Sequence, residues 1–187
     1  MVIASSLLSS VAFGDRYGGG IVFFLDSTGL HGLVAAIEDI SVRYTDPWDK
    51  AHYAGVYRWS TGQNLRTNTP DYAWQELSDT STDRGQGAEN TAKILAKYPA
   101  SCYPSTAAAV AAAYRGGGYS DWFLPSRDEL QQLYLEKRAV GGFAASGYWS
   151  SSENSAGNAW FQNFNNGLQF NSFGKGNFKH VRPVRSF

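Results

Sequence analysis

The amino-terminal part of the chain carries two short apolar runs that predict a β-hairpin. Residues 21–25 are Ile-Val-Phe-Phe-Leu, and residues 33–37 are Leu-Val-Ala-Ala-Ile. Asp26 begins the connection between them, and Gly29 and Gly32 lie within it. Short β-rich runs bounded by such turn-forming residues are typical of paired strands. We therefore expect two strands joined by a loop.

The middle of the chain changes to helical periodicity. Apolar residues at helical spacing occupy 92–98 and stop at Pro99. Residues 106–114 are nearly all alanine; Ser105 or Thr106 is a suitable N-cap, and the three glycines at 116–118 end the segment. Two short helices are predicted here, and the second is small enough in its side chains to pack closely against a neighbour.

A third helix has the clearest start signal in the chain. Ser126 followed by Glu129 is a capping box, in which each side chain accepts a hydrogen bond from the other residue's backbone N–H. Leu130, Leu133 and Tyr134 then follow at helical spacing. We expect the helix to begin at Ser126.

The carboxy-terminal part consists of short aromatic runs separated by Ser, Asn and Gly. Runs at 148–150, 159–164, 167–173 and 180–187 predict three or four antiparallel strands. Asn166-Gly167 is a strong hairpin signal, because both residues tolerate the positive φ of a tight turn.

These elements define the expected architecture. Residues 41–86 have no sustained periodicity and are interpreted as a long irregular insertion, with one short strand around 56–59. At 187 residues the chain fits a single domain, 1–187. A hairpin, then helices, then an antiparallel meander with long irregular loops is an α+β fold. We further expect the terminal strand to pair with the amino-terminal hairpin, because it would otherwise expose its edge.

The overall charge favours neither nucleic acid nor membrane as a partner. Sixteen basic and sixteen acidic residues cancel, and no apolar run reaches the roughly 20 residues that span a bilayer. The charge is uneven only near the end of the chain, where Lys175, Lys179, Arg182 and Arg185 occur without an acidic residue after 167. These four form a candidate site for a polyanion.

The residues that usually carry catalysis are sparse. His31, His52 and His180 are isolated, with no spacing suited to a metal site. The serines at 150–152 lack the Gly-x-Ser-x-Gly motif of a nucleophile elbow, and Cys102 is the only cysteine. We expect a non-catalytic protein without a metal or another cofactor.

Three blocks of sequence resemble a known bacterial family. They are Gly-Gly-Ile-Val-Phe-Phe-Leu-Asp at 19–26 with Gly-Leu-Val-Ala-Ala at 32–36, Asp-Trp-Phe-Leu-Pro-Ser at 121–126, and Tyr-Trp-Ser-Ser-Ser-Glu at 148–153 with Val-Arg-Pro-Val-Arg at 181–185. This succession resembles the domain family of the Legionella collagen-like adhesin carboxy-terminal domain and of the variable proteins of diversity-generating retroelements. The resemblance implies a C-type-lectin-like fold, a location at the cell surface or outside the bacterium, and a protein or polysaccharide ligand bound by the terminal strands. A homo-oligomer is compatible with it.

The genetic code offers an independent test of diversification. Such retroelements mutate template adenines, so an AAC codon can become codons for Asn, Phe, Leu, Ser, Gly, His, Tyr or Asp, but not for Lys, Gln, Trp, Met or Glu. Most positions from 168 to 180 belong to the reachable set, whereas Gln169, Lys175 and Lys179 do not. One alternative is a non-diversified adhesin that binds sulphated polysaccharide through the four basic residues, and a third, less favoured hypothesis is a hydrolase of this fold.

The ligand-binding region is predicted at 158–180. Its candidate contact residues share a polar, turn-rich stretch of sequence and are Phe161, Asn163, Asn165, Leu168, Phe170, Asn171, Ser172, Phe173, Asn177, Phe178 and His180. Phe170 and Phe173 are three residues apart and cannot share a face of a regular strand, so either a bulge intervenes or some aromatic rings are exposed. We expect at least two of Phe170, Phe173 and Phe178 to be exposed.

Other conspicuous residues are expected to be structural. Trp122, Trp149, Trp160 and Phe164 are predicted to lie in the core. Arg182 and Arg185 are predicted to form salt bridges or subunit contacts rather than to bind a ligand.

Overall fold

The computed structural model describes residues 11–41, 55–60, 63–64, 69–70, 76–77 and 79–187. The strands in this part of the chain are β1 (Arg16–Tyr17), β2 (Gly20–Leu25), β3 (Gly32–Ala35), β4 (Tyr57–Arg58), β5 (Gln63–Asn64), β6 (Thr69–Pro70), β7 (Gly147–Ser155), β8 (Asn158–Asn163), β9 (Gln169–Gly174), β10 (Phe178–Lys179) and β11 (Val184–Ser186). The helices are α1 (Gly87–Lys97), α2 (Ala107–Ala113), α3 (Arg127–Leu135) and α4 (Lys137–Val140), with a 3-10 turn at Gly116–Gly118.

Most of the predicted insertion at 41–86, and His52 within it, lies outside the described residues. The strand expected near 56–59 is present as β4, which pairs with β10. The short pair β5 and β6 also lies in this region.

The two ends of the described chain meet in one antiparallel sheet of order β1-β2-β3-β11. Val184 pairs with Ala35 and Ser186 with Leu33, so the closing strand covers the free edge of β3. Gly32 is required at this junction, because a Cβ there would lie 2.2 Å from the carbonyl oxygen of Phe24. The predicted pairing of the amino-terminal hairpin with the terminal strand is confirmed.

The second sheet is the predicted meander, with order β7-β8-β9. One of its faces packs on α1 and α2: Ile94 and the small side chains of Ala107 and Ala111 share a buried cluster with Trp149. Leu130 and Leu133 of α3 pack with residues of both sheets in another cluster. Helices and antiparallel sheets therefore form a mixed fold, in the predicted element order.

The predicted start of α3 is confirmed. The Ser126 side chain accepts a hydrogen bond from the Glu129 backbone N–H (3.3 Å), and the Glu129 carboxylate accepts one from the Ser126 N–H (2.8 Å). The same carboxylate also accepts from the Gly85 N–H (2.8 Å), which ties α3 to the residues before α1. Burial raises the pKa of Glu129, and these backbone hydrogen bonds oppose that rise.

β7 contains a bulge at three fully buried serines, Ser150, Ser151 and Ser152. Four residue steps on β7, from Trp149 to Glu153, match two steps on β8, from Phe161 to Ala159. The hydroxyls bond to groups from four surrounding segments: the Trp160 carbonyl, the Asn90 side chain, the Ser81 carbonyl and the Arg127 N–H. The bulge is the structural reason for the Trp-Ser-Ser-Ser motif.

The predicted core residues are buried with one exception. Trp122, Trp149 and Phe164 are at most 3% exposed, as expected. Trp160 is only half-buried, so its assignment to the core was wrong. It lies on the α3 side of β8, where the guanidinium of Arg127 covers its ring at 5.0 Å from the centroid.

Replacing Ser126 with Ala should lower the free energy of unfolding by about 1 kcal/mol, because the N-cap acceptor of α3 is lost. Urea denaturation monitored by circular dichroism measures the effect. The control is Ser105→Ala, next to the N-cap of α2, because Ser105 is only half-buried and does not cap that helix. An unchanged midpoint for Ser126→Ala would contradict the capping role.

Candidate ligand-binding site

A second bulge lies in β9, within the predicted binding region. Ala159 pairs with Phe173 and Phe161 with Phe170, so two residue steps on β8 match three on β9. The extra residue turns Phe170 and Phe173 toward the same side of the sheet. Both ring centroids lie 4.9 Å from that of Phe161, Phe170 in a parallel stack and Phe173 edge-on. Of the two alternatives that the three-residue spacing left open, a bulge or exposed rings, the bulge is present.

The exposures of the phenylalanines differ from the prediction. Phe170 is 39% exposed, but Phe173 and Phe178 are half-buried, so the expectation that at least two would be exposed was wrong. Phe173 packs against Phe161, and Phe178 lies under the guanidinium of Arg58 at 4.8 Å. Phe161 is 8% exposed and belongs to the core, which corrects its assignment as a ligand contact.

The remaining candidates separate into exposed and supporting residues. Five exposed residues, termed here the β9 face, are Asn165, Leu168, Phe170, Asn171 and Ser172. Asn177 is also exposed, beyond the end of β9, whereas Asn163 and His180 are half-buried. The β9 face combines two apolar side chains with amides and a hydroxyl.

Asparagine side chains shape the loop between β8 and β9. The Asn163 side chain accepts from the Asn165 N–H (2.9 Å), and the Asn166 side chain accepts from the Leu168 N–H (3.1 Å). Strand pairing stops at Gln162 and Gln169, so the connection is longer than the predicted two-residue turn. Gly167 adopts the positive φ, at 82°, that the turn signal anticipated.

A chain of glutamine hydrogen bonds holds this loop on α3. The buried Gln162 amide donates to Gln131 and to the Gly167 carbonyl, both at 2.9 Å. Gln169 donates to the Gln162 side chain (2.9 Å) and to the Arg127 carbonyl (3.1 Å). No pattern within a few residues indicates this support, although Gln169 differs from its neighbours in lying outside the set that AAC codons reach.

Three of the four basic residues near the chain end are paired internally. Lys175 is fully buried and pairs with Glu153, and its ammonium lies 4.6 Å from the centroid of the Trp59 ring. Burial lowers the pKa of Lys175, and its hydrogen bond with Glu153 opposes that change. Arg182 is buried and bonds to Asp39, and Arg185 pairs with Asp121. The polyanion site expected from all four residues is therefore not formed, whereas the predicted structural salt bridges of Arg182 and Arg185 are confirmed.

His180 belongs to an internal polar cluster. Its ring lies against Tyr148, with centroids 5.2 Å apart, and its Nδ1 is 3.8 Å from the Asp39 carboxylate. Burial lowers the pKa of His180. Asp39 also accepts the hydroxyl of Tyr148 and the Arg182 guanidinium. The half-buried histidine thus packs inward, away from a role as a freely exposed contact.

The described residues also line concave sites beyond β9, and two of them are large. One, of about 640 Å³, adjoins the first sheet and is lined by Phe24, Asp26, His31, Gly32, Leu33, Arg84, Gly85, Ser186 and Phe187. The other, of about 360 Å³, is lined by Lys137, Arg138, Gly142, Phe143, Ala144, Ala145, Phe164 and Asn165.

In the described residues, no group of three His, Cys, Asp or Glu side chains could hold a metal ion. None of the helices formed by the described residues has the length and apolar character of a membrane span.

Comparison with known proteins identifies the family. The model of the Lcl C-terminal domain matches residues 48–185, and the chain belongs to this family, that of the Legionella collagen-like protein carboxy-terminal domain. No curated protein matches the chain. Among solved structures, a fimbrial protein from Bacteroides ovatus is similar, with 16% sequence identity and a TM-score of 0.43, over 82% of this chain and 35% of that protein. The chain thus spans about a third of that protein's length.

Removing either partner of the Lys175–Glu153 pair should destabilise the domain by about 3–5 kcal/mol, because a buried charge is left uncompensated. Lys175→Met and Glu153→Leu test this by chemical denaturation. The double variant should be more stable than either single variant, since both charges are gone. Additive losses would show that the residues do not act as a pair.

Phe161→Ala should lower the unfolding free energy by roughly 3–5 kcal/mol, because it opens a cavity under two other rings. Phe170→Ala should cost about 1 kcal/mol or less, since its ring is partly in water and lies at the surface. Phe164→Ala is the matched core control and should behave like Phe161→Ala. Equal losses at Phe170 and Phe161 would mean that Phe170 is a core residue.

Proposed function

We propose that this domain is a non-catalytic receptor or adhesin module, located at the bacterial surface or secreted, that binds a macromolecular ligand through the β9 face. The observation that carries the proposal is the exposure of Leu168 (56%), just before β9, and of Phe170 (39%), at its start. Large apolar side chains amid amides and hydroxyls are typical of binding surfaces. Gln162 and Gln169 hold this strand on α3, so little ordering would be required on binding.

We propose that the fold is C-type-lectin-like. Two features support this assignment. Pairing of β3 with β11 brings the two ends of the described chain into one sheet, and between these strands the chain forms the helices and then the β7-β8-β9 meander. Membership of the Lcl C-terminal domain family is compatible with this assignment.

We further propose that the β9 face is diversified by a retroelement. All five of its residues belong to the set that mutation of AAC codons can reach. Four residues around the face, Gln162, Gln169, Lys175 and Lys179, do not belong to that set. Unreachable residues are thus absent from the β9 face, whereas reachable types also occur among buried and half-buried residues such as Phe161 and Phe173.

A second candidate function is binding of sulphated polysaccharide. The observation in its favour is the cavity of about 360 Å³, whose lining includes Lys137 and Arg138 but no acidic residue. Asn165 connects this basic cavity to the β9 face. The polysaccharide would then bind at this cavity and not at the four basic residues near the chain end, because three of those four are paired internally.

Binding through the β9 face is tested with a Leu168→Ala, Phe170→Ala double variant of the labelled domain. Staining of intact bacterial and epithelial cells, measured by flow cytometry, should fall at least tenfold, because apolar anchors dominate interface energetics. The control is Leu135→Ala, which removes an equally exposed apolar residue from α3 (61%). Equal staining by wild type and the double variant would reject the β9 face, and loss confined to Lys137→Ala, Arg138→Ala would favour the polysaccharide site.

Diversification is tested at the gene. A near-copy of codons 158–180 should lie close to a reverse transcriptase gene, and substitutions among clonal isolates should concentrate at the five β9-face codons. Codons for Gln162 and Gln169 should stay constant and serve as internal controls. Substitutions spread evenly over the gene would contradict the proposal.

A further inference from the structure

Lys179 differs from the other basic residues of the terminal segment. Lys175, Arg182 and Arg185 each pair with a carboxylate. Within the described part of the chain, the Lys179 ammonium has no such partner, and its recorded hydrogen bond is a long one, 3.4 Å, to the carbonyl of Phe178. It retains donors that an oxyanion could fill.

Three aromatic rings surround this ammonium. Its Nζ lies 3.8 Å from the ring centroid of Phe173, 4.8 Å from that of Phe161 and 5.8 Å from that of Trp149. Aromatic faces attract a cation, so the ammonium is held without being neutralised. Burial lowers the pKa of Lys179, which indicates partial removal of water around the charge.

The backbone of β7 leaves room for the aliphatic part of the Lys179 side chain. A Cβ on Gly147 would lie 2.5 Å from Cδ of Lys179, so glycine in β7 makes room for the side chain. The Lys179 backbone is fixed by pairing of β10 with Tyr57 of β4. Both ends of the side chain are thus positioned, which lowers the entropy lost when the ammonium binds a partner.

Lys179 adjoins the β9 face through a shared ring. The Phe161 ring contacts the Lys179 ammonium and also stacks on Phe170, at 4.9 Å between centroids. A ligand seated on Phe170 would therefore bring its neighbouring groups toward a single, preorganised positive charge.

We propose that Lys179 is the anionic-group anchor of the β9 face, and that the ligand is a protein presenting an Asp or Glu carboxylate beside an apolar side chain. This rests on the proposed function of the β9 face. One isolated ammonium matches one carboxylate, whereas a polyanion needs a row of cations. Leu168 and Phe170 supply apolar contact of the kind that protein partners complement.

The test uses a phage-displayed library of random twelve-residue peptides as the probe, selected on the wild-type domain. Enriched peptides should contain Asp or Glu next to apolar residues. Their affinity should fall tenfold or more with Lys179→Met, which keeps the stem but removes the charge, and largely recover with Lys179→Arg. Changing the peptide's acid to its amide should weaken binding to the wild type but not to Lys179→Met. Thermal melting confirms that the variants are folded.

The outcomes separate this proposal from the proposed function. Peptides that require Phe170 but bind Lys179→Met as tightly as the wild type would overturn the role of Lys179 alone. Peptides unaffected by Lys179→Met and by Phe170→Ala would overturn the β9 face itself. Lys179-dependent retention on immobilised polygalacturonate or heparin, with no peptide enriched, would overturn the protein partner.

Discussion

The buried hydroxyls of the β7 bulge join the elements of this domain, because a buried hydroxyl without a partner costs about 1–3 kcal/mol. Ser150, Ser151 and Ser152 have no solvent exposure. Their partners lie in α1, in the segment before it, at the start of α3 and in β8. A regular strand would turn the middle serine away from its neighbours, whereas the bulge lets all three reach partners inside the protein. The bulge therefore fixes where α3 begins relative to the sheet.

The position of α3 determines in turn how the β9 face is held. The N–H of Arg127 bonds to Ser152, and its carbonyl accepts the side chain of Gln169 from β9. Gln131, further along α3, supports Gln162 and through it the loop that precedes Leu168. The exposed residues thus rest on a chain of hydrogen-bonded glutamine side chains that leads back to the serine bulge. Such networks rigidify a structure when every member is paired.

The sequence predicts local structure here better than it predicts exposure. The hairpin, the capping box at Ser126 and the meander follow from signals within a few residues. Phe161 was assigned to the ligand surface because residue type and neighbours do not show which way a bulged strand turns its side chains; the register between β8 and β9 decides that. The prediction of a polyanion site at the basic residues was wrong for a related reason. Glu153 and Asp39, which neutralise Lys175 and Arg182, are distant in sequence, so a local excess of positive charge does not indicate a positive surface.

The β9 bulge also explains how the β9 face could tolerate amino-acid substitutions. At Asn171 and Ser172 the pairing with β8 is interrupted, and both side chains are exposed. Substitutions there alter neither the core nor a regular ladder, so their effect on stability should be small. Substitution of Phe161 or Phe173 should instead disturb the core, because both rings pack on Trp149. The bulge also makes β9 a poor template for an added strand. The proposed recognition at this edge would therefore depend on side chains, which mutation can change, rather than on backbone hydrogen bonds, which it cannot.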